Sequence, residues 1–177
     1  EKEDLYRIGV IAEVLRVIEL ADNNFSIIVQ AKKRFEWFEM AQTEPFIKAT
    51  YKLRDYERVP KEDKEFKAIL DSIRDAMLHM LHLLGEPPKE LIQTISNESF
   101  SDMLISYCGT NLPIDSREKQ ELLAINNEKE QAYRMLMILN RESQVLELKM
   151  YIQLKTREDL NQQQKEYFLQ QQIKTIQ

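Results

Sequence analysis

After Pro113 the chain contains no glycine and no proline. Asn126 or Asn127 can start a helix there, and nothing in the sequence stops it before Gln177. At 1.5 Å per residue, a helix of about 50 residues runs for about 75 Å. The remaining body, about 120 residues, has a radius of gyration near 14 Å, so much of the helix must project. Composition marks where it leaves. Between Ala132 and Leu154, 14 of 23 residues are hydrophobic, against 6 of 23 between Lys155 and Gln177. The first half is expected to pack on the body, and the second to be a solvated arm or a coiled-coil partner. In that arm Leu160, Tyr167, Leu169, Ile173 and Ile176 form a thin apolar stripe, too discontinuous for a regular dimer seam.

The body divides by periodicity. Residues 5–54 favour strands. From Phe25 the odd positions read Phe25, Ile27, Val29, Ala31, then Phe35 and Trp37, while the even ones are mostly polar apart from Ile28. Period two predicts one face on a core and one in water. The stretch from Ile8 to Leu20 is more continuously apolar, as expected of a more buried strand. Asp22-Asn23-Asn24 between them suits a hairpin turn, and Phe46 to Leu53 fits a third strand. Three strands make a poor independent sheet, so further strands are expected before Glu1. After Pro60 the period becomes helical. Phe66, Ile69, Leu70, Ile73, Met77, Met80, Leu81 and Leu84 form one stripe, which Gly85 and Pro87-Pro88 end. Shorter helices follow at about Lys89 to Ile95, at Ser99 to Cys108, and from a cap at Asp115 or Ser116 through Leu123.

Charge and cysteine content exclude some functions. A net charge of −5 opposes nucleic-acid binding, which needs a basic surface. A single cysteine, Cys108, cannot form an internal disulfide and suits a reducing compartment. No apolar run reaches the roughly 20 residues that span a bilayer, and the opening EKED has no signal-peptide core. A soluble cytoplasmic protein is the expectation.

Catalytic patterns are missing. Glycines at positions 9, 85 and 109 alone cannot build a phosphate-binding loop. No nucleophile elbow or paired-cysteine metal motif occurs. Asp75, His79 and His82 share the helical face opposite the apolar stripe and could offer zinc three groups. A solvated face with an i, i+4 pair explains them as well, so no metal site is assigned. Cys108 reads as a small buried hydrophobe rather than a reactive thiol. The cluster Phe35, Trp37, Phe38 and Met40 is the candidate substrate-binding patch, because aromatic and thioether side chains near a sheet edge suit varied apolar segments. Burial in a core corner is the competing reading.

Three blocks of sequence carry a family resemblance. The segment QKEYFLQQQIKTIQ, residues 164–177, keeps Gln164, Glu166, Tyr167, Leu169, Gln172, Lys174, Ile176 and Gln177 in register with the pattern Q-R-E-Y-Y-L-x-E-Q-x-K-A-I-Q. Gln171 and Thr175 depart from it. Leu112-Pro113-Ile114 followed by Glu118 to Leu123 is similar to L-P-L…K-Q-x-L-L. Asp4 to Val10, with Val29-Gln30 and Arg34 after it, is similar to a D-L-Y-x-V-G-T strand entry, and Ala31 stands where the pattern has Gly. Together these resemble the N-terminal region of Lon, the ATP-dependent serine protease family.

The resemblance implies an α+β chain in three parts. A partial PUA-like β lobe would occupy residues 1–58, a helical bundle lobe 59–126, and a helix leading towards an ATPase module 127–177. It implies earlier β strands before Glu1, and an ATPase and a Ser-Lys protease domain after Gln177. The chain itself would be non-catalytic and without a cofactor, the ATP and Mg belonging to the parent enzyme. Its partners would be unfolded or tagged protein substrates and, in the full-length protein, five further copies in a hexamer. The residues alone leave two alternatives open: an oligomerisation scaffold whose rods pair, and a stand-alone substrate-receptor adaptor.

Overall fold

A computed structural model of the chain describes residues 5–97 and 101–176, with the side chains of Asn23, Asp102 and residues 173–176 left out. It is α+β. An antiparallel sheet of three strands, β1 (Ile8–Glu19), β2 (Phe25–Gln42) and β3 (Lys48–Leu53), is ordered β1-β2-β3. Five helices follow: α1 (Lys64–Leu84), α2 (Lys89–Ser96), α3 (Ser101–Asn111), α4 (Ser116–Ala124) and α5 (Glu128–Ile176).

Local chemistry sets the element ends. The β1–β2 hairpin turns through a single 3-10 turn, Ala21–Asn23, in which Asp22 takes φ 61°, a left-handed conformation that Asp tolerates. The Asp63 carboxylate accepts from Phe66 N at 2.9 Å and caps α1, which ends at Gly85 with φ 142°. Asp115 caps α4 in the same way through Glu118 N at 2.7 Å. Of the two asparagines that could start the last helix, Asn127 does so: its side-chain oxygen accepts from Lys129 N and Glu130 N at 3.0 and 3.2 Å. The expected start of the third helix, Ser99, lies outside the described residues.

The core lies among the helices and takes no side chain from the sheet. Ile73, Ile95, Leu104, Cys108, Met135, Ile138 and Leu139 are its most buried side chains, contributed by α1, α2, α3 and α5. Leu70, Met77 and Met80 of α1, Leu122 of α4, Ala132 of α5 and Ile114 of the loop between α3 and α4 complete it. Leu84, expected in the α1 stripe, is 70% exposed at the helix end. The first turns of α5 pack on α1. Its last partly buried residue is Met150, and every side chain described from Tyr151 to Gln172 is exposed. The arm therefore leaves the body a turn earlier than composition suggests, with Tyr151, Ile152 and Leu154 already in solvent. The whole of α5, 49 residues, spans about 74 Å.

The sheet departs most from expectation. No residue of β1, β2 or β3 is buried, and the supposedly more buried β1 is exposed from Ala12 onward. Alternation also fails to keep one face, because the ladders carry bulges. Between Ile11↔Lys33 and Ala12↔Ala31 the extra residue is Lys32, and between Trp37↔Tyr51 and Glu39↔Thr50 it is Phe38. An inserted residue inverts every side chain beyond it. Phe25, Ile27, Val29 and Ala31 thus sit on one face, whereas Phe35 and Trp37 sit on the other. The first bulge falls beside Ala31, where the related pattern has Gly.

Candidate functional site: an aromatic sheet patch above a basic interlobe groove

The bulge at Phe38 re-aims the end of β2. Phe35, Trp37 and Met40 pair with Leu53, Tyr51 and Ala49, which alternate along β3, so all six share one face. Phe35 meets Tyr51 edge-on with ring centroids 5.6 Å apart. Its ring also lies over Gly9, where a Cβ would come within 2.7 Å of Phe35 Cζ, so any larger residue there would push the ring aside. Trp37 donates its indole N–H to Tyr6 O at 2.8 Å and its backbone N–H to Arg7 O at 3.1 Å. Phe38, the extra residue, is 48% exposed, with the Arg7 guanidinium 5.8 Å from its ring centre. The four candidates are therefore half-buried or exposed on the sheet and are not part of the helical core.

Beneath the sheet, a polar clamp joins it to the helices. Arg34 Nη1 donates to Ile125 O at 2.7 Å, and Arg54 donates to Ala124 O at 3.0 Å and to Asn126 Oδ1 at 2.9 Å. Two arginines of the sheet region thus close on the loop between α4 and α5. Glu57 extends the contact as a parallel bridge to Asn127, and Gln120 donates to Ile8 O at 2.6 Å. Tyr56 lies between Arg34 and Arg58, whose guanidinium carbons are 4.4 and 5.2 Å from its ring centre. Its hydroxyl donates to Gln131 Oε1 at 2.7 Å. Glu128 is buried with both carboxylate oxygens engaged, one by Arg58 Nη1 at 2.6 Å and one by Val59 N at 2.8 Å.

Two clefts flank this clamp. One, of about 450 Å³, opens between the Lys32–Arg34 segment, the Leu53–Arg58 segment and α3. The other, of about 640 Å³, lies between Arg58, Val59, the first turns of α1 and Ser101. They adjoin at Arg58 and Glu128, which line both. Burial is the main cause that depresses Arg34 below the ordinary arginine range, with Arg54 and Arg58 adding to it. Burial likewise raises Tyr56. None of this groove follows from the sequence pattern except Arg34, which belongs to the related strand entry.

The remaining candidates separate. His79 Nε2 lies 2.7 Å from Glu147 Oε1 of α5, and His82 Nδ1 lies 2.6 Å from Leu78 O of its own helix. Among the described residues no group of three or more His, Cys, Asp or Glu side chains is placed to hold a metal ion. Cys108 is fully buried against Met77, with its thiol pushed up to about 12 by burial. Leu160, Tyr167 and Leu169 are 55–60% exposed on the arm. Ile173 and Ile176 are helical in backbone, but their side chains lie outside the described residues. No described helix is long and apolar enough to cross a membrane.

Comparison with known proteins agrees with this architecture. The family described as the ATP-dependent protease La (LON) substrate-binding domain matches residues 1–141. The Lon protease of Parabacteroides distasonis is 49% identical over 175 residues, which is 99% of this chain and 21% of that protein. That of Porphyromonas gingivalis is 45% identical over 179 residues, again 21% of its length. The chain thus spans about a fifth of these curated relatives. Among solved structures, the N-terminal domain of a Mycobacterium avium complex Lon protease superposes with a TM-score of 0.59 at 20% identity, covering 78% of this chain and 70% of that one. The fold is therefore shared with a Lon N-terminal domain, and the matched portion carries the substrate-binding description, not a catalytic one. The chain belongs to the family of the ATP-dependent protease La (Lon) substrate-binding domain.

Proposed function

We propose that this chain is the client-engaging, non-catalytic portion of an ATP-dependent Lon protease, and that it binds unfolded protein segments through its sheet. The family match over residues 1–141 carries the reading. The sheet supports it by its surface: Phe38 and Tyr51 lie 48% and 57% exposed beside Trp37 and Met40. Such side chains offer large contact area, and the flexible thioether adapts to different sequences. Binding by one copy is weak, and presentation of several copies on an oligomeric protease converts it into avidity. On this reading residues 1–58 and 59–126 are the two working lobes, and 127–177 is the helix that carries them. ATP and Mg are used by the rest of the enzyme, in the cytoplasm, with six copies to a ring.

The test is fluorescence anisotropy of a labelled, permanently unfolded polypeptide, with the same polypeptide in folded form as control. Phe38→Ser together with Met40→Ser should weaken binding of the unfolded form at least about fivefold, the scale of a lost apolar contact of about 1 kcal/mol. Equal binding of folded and unfolded polypeptide would refute client capture. The oligomerisation scaffold is favoured by one observation, the exposed Leu160, Tyr167, Phe168 and Leu169 on the arm. It requires self-association that disappears when the chain is ended at Leu154.

A further inference from the structure

From the charge of the interlobe groove we infer a second recognition element: it takes carboxylate-bearing segments of the client polypeptide. The inference rests on the client-binding reading above and specifies part of its substrate class. The chain as a whole is acidic, with a net charge of −5. The groove reverses that sign. Its first cleft is lined by five basic residues against two acidic ones, and its second by four against two. Glu128 is committed to Arg58 and to Val59 N, and Lys32, Arg54 and Arg74 face Glu13, Glu36 and Asp71 at 2.9, 3.6 and 2.6 Å, so the uncompensated charge of the groove rests on Arg34, Lys33 and Lys61.

The clamp arginines add field rather than free donors. Arg34 spends its hydrogen bonds on Ile125 O and Gln131 Oε1 and has no carboxylate partner among the described residues. Its charge is hydrogen-bonded but not compensated. Two lysines on the walls, Lys33 and Lys61, form no ion pair with another described residue and remain exposed. Flexible ammonium groups over a fixed guanidinium field suit carboxylates that arrive in no fixed order.

The shape favours a polypeptide over a nucleic acid. Each cleft holds a few side chains, within the range of ordinary ligand sites. Apolar groups stand among the cations: Leu53 and Ile105 in the first cleft, Val59, Phe66 and Leu70 in the second. A mixed acidic and apolar peptide satisfies both. A long polyanion would gain from the groove but extend beyond it over a chain whose net charge is −5.

The experiment compares two labelled peptides of equal length and equal apolar content against the 177-residue chain. One carries Asp and Glu, and the other carries Asn and Gln at the same positions. A single-stranded oligonucleotide is the third probe. The acidic peptide should bind about fivefold tighter than its amide twin, the scale of one or two rim ion pairs. Lys33→Glu with Lys61→Glu should abolish that preference and leave the amide twin's affinity unchanged. Lys155→Glu with Lys165→Glu, the same charge change on the arm, should leave the preference intact. Equal affinity for the two peptides overturns the inference while client binding stands, and no binding of either overturns both. Loss of preference on reversing the arm lysines also overturns it, because net charge alone would then explain the effect. Oligonucleotide binding as tight as the acidic peptide's, and lost with it, would replace the peptide site by a general polyanion site.

Discussion

Replacing Arg34 by Met separates the two lobes as a test of what holds them together. The sheet contributes no side chain to the buried core, so its order depends on the bulged ladders and on the polar clamp. A small isolated sheet with few buried contacts is marginal in water. Arg34→Met keeps most of the apolar stem and removes three things: the 2.7 Å bond to Ile125 O, the longer 3.5 Å bond to Gln131 Oε1 and the guanidinium 4.4 Å from the Tyr56 ring centre. A hydrogen bond from a charged group contributes about 1.5–3 kcal/mol, and a partly exposed cation–π contact about 0.5–1 kcal/mol. Partial exposure of the site favours the lower part of the sum, about 2 kcal/mol. With a urea dependence of about 2 kcal/mol per molar, the midpoint falls by about 1 M. The assay reads both lobes at once. Trp37 is the one tryptophan and reports on the sheet by fluorescence, while circular dichroism at the helical band reports on α1 and α5. The sheet transition should move to lower urea and the helical transition should stay. A coincident shift of both probes, or of neither, would refute the view that the clamp, rather than a shared core, binds the sheet.

Three other expectations follow from the helical lobe and its caps. Ile138→Ala empties a position that is 1% exposed between α5 and α1, and should cost about 2–5 kcal/mol in thermal or urea denaturation. Asp63 is held below the ordinary carboxylate range first by Lys129 and then by the Phe66 N–H. Its stabilising effect is therefore present above the unfolded value of about 3.9 and is lost as pH falls through the lower folded value. Asp63→Asn should flatten the acid limb of the stability profile measured by denaturation from pH 2 to pH 6, and an unchanged limb would contradict the pairing. The Cys108 thiol, pushed up to about 12 by burial, should resist alkylation at pH 8 until the helical core opens, so its labelling rate should track global unfolding and rise in Ile138→Ala.

The sequence is most legible where one residue decides a local outcome. Asn127 starts α5 and nothing follows to break it; Asp63 and Asp115 cap α1 and α4; Gly85 stops α1. Each is settled within a turn or two of chain. The helical core follows the i, i+3, i+4 stripe from Leu70 to Met80 for the same reason. The sheet resists reading because a bulge leaves no mark in alternation: Lys32 and Phe38 look like ordinary strand residues, yet one moves Phe35 to the opposite face from Val29 and the other brings Met40 beside Trp37. The groove is further out of reach. Arg34, Arg54 and Arg58 find their partners 70 to 97 residues away, and no local pattern announces such pairs. Glu128 reads as a surface acid at a helix start, and only the fold buries it. The sequence marks Phe35, Trp37, Phe38 and Met40 as a patch near a sheet edge, but that Phe35, Trp37 and Met40 share a face depends on the bulge at Phe38, which alternation does not show.

Hydrogen–deuterium exchange of the chain with and without a saturating unfolded polypeptide tests the central claim most directly, because it shows where the client lies. Capture by the lobes should slow exchange in β2, β3 and the Arg54–Val59 segment, and leave the arm from Leu154 to Ile176 unchanged. Protection confined to the arm, or no protection under conditions where the client is bound, would contradict recognition by the sheet and groove.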